Sequence, residues 1–453
     1  MAGVTADASS SAARVSIFNL AWPVMVSNFL QTLTTTVDLI MVGALGAEAP
    51  AAVAAVGFGS TFIFLFFSVM ISVSGGTIAL VSRAIGAKDI DEANHILEQS
   101  LVLGAIMSLP LTFVGIVFAE PILAAFGAAS DVVALGGSYI RIISLVVFFQ
   151  FIGFLGSAAL RGAGDTVTPL WIGVLVNIVN FGINVNLIFG NAYVPKLGVP
   201  GAAIGTSISY IVGAMALIAI FVRGKHVLKL DLRRPQLHLE AVKRIFRIGW
   251  PAALEQIFLQ VAFLLWVGMV FAFGTEVLAA HQIGLRIQSF AFMPGFGFAI
   301  AATALVGQNL GAQSPEAAER SGWEAAKLST VVMSVTALGI FVLAHPIAQI
   351  FIRDETVVNY SVTFIRIHAI SIPAVGVFFA IDGALRGAGD TRFPLMTSLS
   401  GMYAIRLPLA LLFGFVLGWG IVGVWIPLVI EYYYRAAVIA THFRRGKWKT
   451  LKV

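Results

Sequence analysis

Twelve apolar runs, each long enough to cross a membrane, fill most of this chain and leave it little choice of fold. A helix needs about 20 largely apolar residues to traverse the hydrocarbon core. Runs of that size lie near residues 16–40, 50–77, 95–120, 131–158, 167–190 and 198–222, then near 245–272, 280–306, 323–350, 358–384, 394–416 and 421–443. A polar stretch from Arg223 to Lys243 separates the two sets of six. Composition points the same way. Only 11% of residues are charged, against roughly 25% in a soluble domain, so the apolar surface is too large for one water-surrounded core. The predicted architecture is an all-α membrane protein of twelve transmembrane helices in two pseudo-symmetric six-helix bundles. Residues 1–222 form an N-lobe, 223–244 a cytoplasmic linker, and 245–453 a C-lobe ending in a short basic cytoplasmic tail.

Basic residues set the orientation. Of the 28 Lys and Arg, 21 fall on one side of this twelve-span layout, only Lys196 and Arg353 fall on the other, and Arg141, Arg286, Arg366, Arg406 and Arg435 lie inside spans. Short cytoplasmic loops carry the excess of Lys and Arg, which puts both termini inside the cell and the protein in the plasma (inner) membrane. Met1 to Ala13 contains no Lys or Arg. That is unlike the basic start of a secretory signal, so the run after Arg14 reads as a retained first span. The net charge of +6 therefore reports topology, not nucleic-acid binding. The chain has no cysteine, which excludes disulfides, thiolate metal sites and a Cys nucleophile.

The chain is duplicated. Ala-Leu-Arg-Gly-Ala-Gly-Asp-Thr occurs at 159–166 and again at 384–391, an offset of 225. Pro169-Leu170, Ala79-Leu80-Val81, Gly86-Ala87 and Ile140-Arg141-Ile142 all recur at that offset, while Trp22-Pro23 is matched by Trp250-Pro251. Repeats of six spans keep one orientation, so the halves are expected to be related by an axis along the membrane normal. The shared loop reads as a structural joint. Arg161 and Arg386 suit helix C-termini, the glycines permit a tight turn, and Asp165 and Asp390 can cap the next helix.

Ionisable residues within spans are costly and are functional candidates by default. The acids are Asp38, Glu255, Asp382 and Glu431. Asp382 aligns with Ser157 in the other half, Asp38 with Trp266, and Glu255 with Ser27 or Asn28, so these three have no acidic twin. A purely architectural carboxylate would be expected in both halves. An intramembrane carboxylate can hold a proton, hold Na⁺ or attract an organic cation, and competition among these is the simplest antiport scheme. The plainer reading is a salt bridge to an intramembrane arginine such as Arg286 or Arg406. For Glu431, next to Tyr432 to Tyr434, it is an interfacial helix end. Asn177, Asn180 and Asn184 share one helical face of the fifth span and could coordinate Na⁺ or bond between helices. Thr206 is similarly placed. Phe290, Phe292, Phe296, Phe378 and Phe379 could line a path for flat cations or simply face core and lipid.

Several phrases together resemble a known family, the multidrug and toxic compound extrusion (MATE) transporters. They are Ala-Trp-Pro at 21–23, Val-Asp-x-x-Met-Val-Gly at 37–43, Ala-His-Gln-Ile at 280–283, Val-Gly-Gln-Asn-Leu-Gly-Ala at 306–312 and the two repeated loops. The resemblance covers about residues 14–445. It implies two bundles facing each other in a V and efflux of cationic or amphiphilic organic compounds driven by inward Na⁺ or H⁺. In the N-lobe it implies an ion or proton site at Asp38, Asn180, Asn184 and Thr206. In the C-lobe it implies an ion or substrate site at Glu255 and Asp382 with Gln282 and Phe378. Either could hold Na⁺. The C-lobe acids make the chain look closer to NorM-type than to DinF-type members. Two departures stand out: Asn184 is neutral where the archaeal N-lobe site has a second aspartate, and Phe378 stands where a NorM-type member typically has tyrosine. The resemblance also implies a monomer embedded in lipid, with no cofactor beyond the coupling ion and no nucleic-acid partner. An exporter of one endogenous metabolite and a flippase for a lipid-linked precursor are the alternatives on the same scaffold. An enzyme is not expected, because the sequence carries no phosphate loop, zinc-ligand spacing or nucleophile constellation.

Overall fold

A computed structural model of the chain describes residues 2–46, 49–125, 127–190, 193–224, 227–230 and 237–451, with backbone alone for 2–13 and 60–65. Part of the expected linker, residues 225–226 and 231–236, lies outside the described residues.

Among the described residues the regular structure is entirely helical. The first half holds α1 (Ala2–Gly43), α2 (Ala49–Gly86), α3 (Ile90–Val117), α4 (Ala119–Ala125), α5 (Ser130–Ser144), α6 (Val147–Gly162), α7 (Val167–Phe189) and α8 (Val199–Arg223). The second holds α9 (Leu239–Phe271), α10 (Thr275–Gly311), α11 (Pro315–Val342), α12 (Ala344–Phe351) and α13 (Glu355–Gly387). It ends with α14 (Arg392–Val416) and α15 (Gly420–Arg445). Among the described residues ten helices are long and apolar enough to span a bilayer, and the pair α5–α6, bent by 54° at its break, makes an eleventh. The twelfth expected span is α1. Asn28, Gln31, Thr32, Thr34, Thr35, Thr36 and Asp38 dilute its apolar character, and the four threonines return their hydroxyls to carbonyls one turn back.

The duplication is visible in backbone conformation. Gly164 and Gly389 adopt φ of 90° and 85° in the two copies of the repeated loop. Lys88 and Gln313 differ in residue type, yet both are left-handed at φ 60° and 57°, again 225 positions apart. Asp165 accepts a hydrogen bond from the Thr168 N–H at 2.9 Å, which caps α7. Asp390 meets the Phe393 N–H at a longer 3.4 Å and also pairs with His442 at 2.8 Å. The halves differ elsewhere: α13 runs unbroken where α5 and α6 are separate, and α14 contains two π-helical stretches, Ser400–Arg406 and Leu412–Val416.

The chain forms two compact units whose bounds differ from the sequence-based lobes. One comprises residues 1–25, 86–88 and 250–453, the other 26–85 and 89–249. Within the first, a Cβ on Gly297 of α10 would run into the Ala21 carbonyl of α1, and Arg14 pairs with Glu324 at 2.8 Å. Within the second, a Cβ on Gly249 of α9 would run into the Ser72 carbonyl of α2, and Arg244 pairs with Glu92 at 2.6 Å. Glycine thus lets the N-terminal halves of α1 and α9 pack backbone-to-backbone on a helix coded by the other half.

Candidate functional site

Four helices of the first unit converge on one buried charged cluster. Glu255 stands on α9, one turn past Pro251. Phe378, Asp382 and Arg386 fall at intervals of four along α13 and so share a face. Ser398 and Arg406 come from α14, and Glu431 and Arg435 from α15, again four apart. Arg386 holds both expected acids: its Nη2 donates to Glu255 Oε2 at 2.6 Å, its Nε to Asp382 Oδ2 at 2.8 Å, and its Nη2 also to Asp382 Oδ1 at 3.1 Å. The second oxygen of Glu255 accepts from Ser398 Oγ at 2.5 Å. Ser398 in turn accepts from Arg435 Nη2 at 2.5 Å. Arg435 Nη1 donates to Glu431 Oε1 at 3.0 Å, and Arg406 Nη2 donates to Glu431 Oε2 at 2.5 Å. Three carboxylates and three guanidiniums are therefore joined in one chain of hydrogen bonds through a serine. Aromatic faces line it: the Arg435 guanidinium carbon lies 3.9 Å from the Phe378 ring centre, and that of Arg406 lies 4.9 Å from Trp266.

This arrangement corrects parts of the sequence reading. Glu255 and Asp382 do come together, but around an arginine. That arginine is neither Arg286, which is exposed, nor Arg406, which serves Glu431. It is Arg386 of the repeated loop, so the phrase read as a joint also supplies the counter-charge of the acid pair. Glu431 is fully buried between two arginines, not at an interfacial end. Phe378 is buried and takes a cation–π contact with Arg435. Gln282 is exposed on α10 and, among the described residues, does not take part in the hydrogen bonds that join the cluster. Its neighbour His281 is the buried one, edge-on to Trp266 at 4.8 Å and to Phe364 at 5.0 Å. The i,i+4 spacings Asp382–Arg386 and Glu431–Arg435 were the available signal for these pairs. No linear pattern marked Ser398.

The second unit holds the N-lobe candidates together. Asn184 Nδ2 donates to Asp38 Oδ1 at 2.7 Å and to Asn180 Oδ1 at 3.3 Å, and Asn180 Nδ2 donates to Thr206 Oγ1 at 3.1 Å. Asn184 is wholly buried and its Oδ1 has no hydrogen-bond partner. That oxygen points at α8, where a Cβ on Gly205 would overlap it, so glycine at 205 makes the room. Asn177 belongs elsewhere: its amide bonds back to the Gly173 carbonyl at 2.7 Å. Asn186 does the same to Gly182. The set Asp38, Asn180, Asn184 and Thr206 thus brings carboxylate, amide and hydroxyl oxygens together, the two asparagines buried and Asp38 and Thr206 half-buried, the donor chemistry that a hard monovalent cation takes.

Comparison with known proteins agrees with this architecture. A family model described as MatE matches residues 23–186 and 251–412. A probable multidrug resistance protein NorM of Thermotoga maritima is 29% identical over 441 residues, covering 96% of this chain and 93% of its own. A probable NorM of Rhodopseudomonas palustris is 30% identical over 456 residues, covering 98% and 95%. Two solved structures share the fold. A MATE transporter of Vibrio cholerae has a TM-score of 0.89 at 21% identity and covers 98% of this chain and 100% of that one. A MOP superfamily transporter from Pyrococcus furiosus has a TM-score of 0.89 at 23% identity and covers 97% of each.

Proposed function

This chain belongs to the MatE family, and from that premise we propose that it exports cationic or amphiphilic organic compounds from the cell in exchange for inward Na⁺ or H⁺. The observation that carries the reading is the acid pair, Glu255 and Asp382, held inside a helix bundle beside the Phe378 ring. Carboxylates in such a place attract cations and protons in competition, and an aromatic face beside them favours a flat organic cation. Asp38 with Asn180, Asn184 and Thr206 serves the coupling ion, and the orphaned Asn184 oxygen is the donor most in need of one. Relatives named multidrug resistance protein NorM support the same substrate range. The protein works as a monomer in the inner membrane with both termini in the cytoplasm, and it performs no covalent chemistry. Export of a single endogenous metabolite would use the same site. A flippase for a pyrophosphate-linked lipid is disfavoured, because Arg386, Arg406 and Arg435 are already committed to carboxylates.

The test is ethidium efflux from proteoliposomes under ΔpH or ΔNa⁺ imposed separately. One gradient is expected to drive transport and thereby to name the coupling ion; transport under neither would refute antiport. Glu255→Gln combined with Asp382→Asn is expected to abolish efflux, and full activity in that variant would remove the site from the mechanism.

A further inference from the structure

The buried cluster in the first unit is electrically complete. Glu255, Asp382 and Glu431 are matched by Arg386, Arg406 and Arg435, all linked through Ser398. A guanidinium cannot give up its proton in a protein. An added cation would therefore leave one buried positive charge without a partner, which a low-dielectric interior resists. A cation can enter only by exchange, with one guanidinium leaving as it arrives.

Three observations single out which one. Arg406 and Arg435 are sealed, with 4% and 7% of their side chains exposed, whereas Arg386 is 21% exposed. Arg386 also sits in the last turn of α13, beside the loop at 388–391, so its side chain alone has an end of the helix to swing past. Moreover, one guanidinium bridges both acids, and a single rotation of Arg386 frees Glu255 and Asp382 together. The repeat supplies an internal comparison. Arg161 occupies the equivalent position, Ser157 replaces Asp382, and the Arg161 Nε has no hydrogen-bond partner. The joint itself does not depend on an acid pair, so the pairing in the second half serves another purpose.

We propose that Arg386 is a tethered counter-ion that fills the Glu255–Asp382 pair when no substrate is bound, yields it to an organic monocation, and returns to expel that cation. The proposal rests on the acid pair being the cation site. Arg386 then sets the balance between holding and releasing substrate, and its removal trades turnover for affinity.

Ethidium binding to the purified protein and ethidium efflux in proteoliposomes test this together. Arg386→Gln is expected to bind ethidium about tenfold or more tightly, the effect of losing one competing charge contact, while its efflux slows. Added guanidinium chloride, as a free substitute for the lost side chain, is expected to lower the affinity of Arg386→Gln back toward wild type. Arg386→Lys keeps the charge but not the planar fork, and its affinity is expected to fall between the two. A folded Arg386→Gln with unchanged or weaker ethidium affinity overturns the proposal. If that variant does not fold, an Arg386→Lys affinity equal to wild type overturns it instead. Glu255→Gln/Asp382→Asn separates the two readings. Loss of binding in that double variant alongside an unaltered Arg386→Gln defeats only the arginine's role, whereas wild-type binding and efflux in the double variant defeat the acid pair as the cation site.

Discussion

Glu431 commits one carboxylate oxygen to Arg406 and the other to Arg435. Glu431→Gln would leave two buried guanidiniums facing a neutral amide. Breaking a buried pair by removing one partner costs about 3–5 kcal/mol, so this variant is expected to melt well below wild type in detergent, and its surplus positive charge is expected to weaken ethidium binding. Gly205 makes a second prediction at this scale. Gly205→Ala would push a methyl against the Asn184 amide oxygen, at a cost of about 1–3 kcal/mol for overpacking. It would also disturb the Asp38–Asn184 bond, so the coupling ion's concentration dependence is expected to weaken while ethidium affinity stays near wild type. Much of this chemistry was legible in sequence. Acids without a twin in the other half stood out by alignment, whereas the pairs Asp382–Arg386 and Glu431–Arg435, though spaced four apart, were not among the expected partners. Ser398 and the Arg386–Glu255 contact left no mark in the sequence, since residues 131 positions apart meet only once α9, α13 and α14 have packed.

Helix α13 lies against α10 at backbone distance. The Thr303 hydroxyl on α10 donates to the Gly383 carbonyl on α13 at 2.9 Å, and a Cβ on Gly387 would run into the Thr303 carbonyl. Since α13 carries Phe378, Asp382 and Arg386, this seam fixes where the cluster's stripe points. Gly387→Val is expected to destabilise the protein by at least about 1–3 kcal/mol and to impair efflux. By contrast, Gly173→Ala on α7, where an added Cβ meets nothing within 4 Å, is expected to be neutral or slightly stabilising in the same melting assay. The extents of most helices followed from apolar length. The break between α5 and α6 did not, because Ser144, Leu145 and Val146 include neither proline nor glycine to mark it. The π-helical stretches of α14 had no signal either. Widened turns of this kind occur often at functional sites, and here one of them carries Arg406 to Glu431.

The duplication and the orientation are properties of the whole chain; the first recurs in backbone conformation, and the second is an expectation from the placement of basic residues. A chain without cysteine is a ready background for testing the second. Single cysteines replacing Lys196 or Arg353 are expected to react with a membrane-impermeant maleimide from outside the cell, and one replacing Lys447 only after permeabilisation. The reverse pattern would invert the topology. The unit boundaries were less legible. Polarity divides the chain near residue 223, yet residues 1–25 pack with 250–453, because contacts made by glycine against a carbonyl leave no mark in hydropathy.

The balance of three carboxylates against three guanidiniums has an electrical consequence. With Arg386 seated, the cluster adds no net charge to the membrane interior, so the voltage across the bilayer has no grip on it. Moving one charge through the full field is worth about 2.3 kcal/mol per 100 mV, but an organic cation takes the acids only as Arg386 leaves them, so the exchange keeps the cluster neutral. On this account membrane potential has no grip on this site whether it is empty or loaded, so a clamped voltage should leave the affinity for ethidium unchanged.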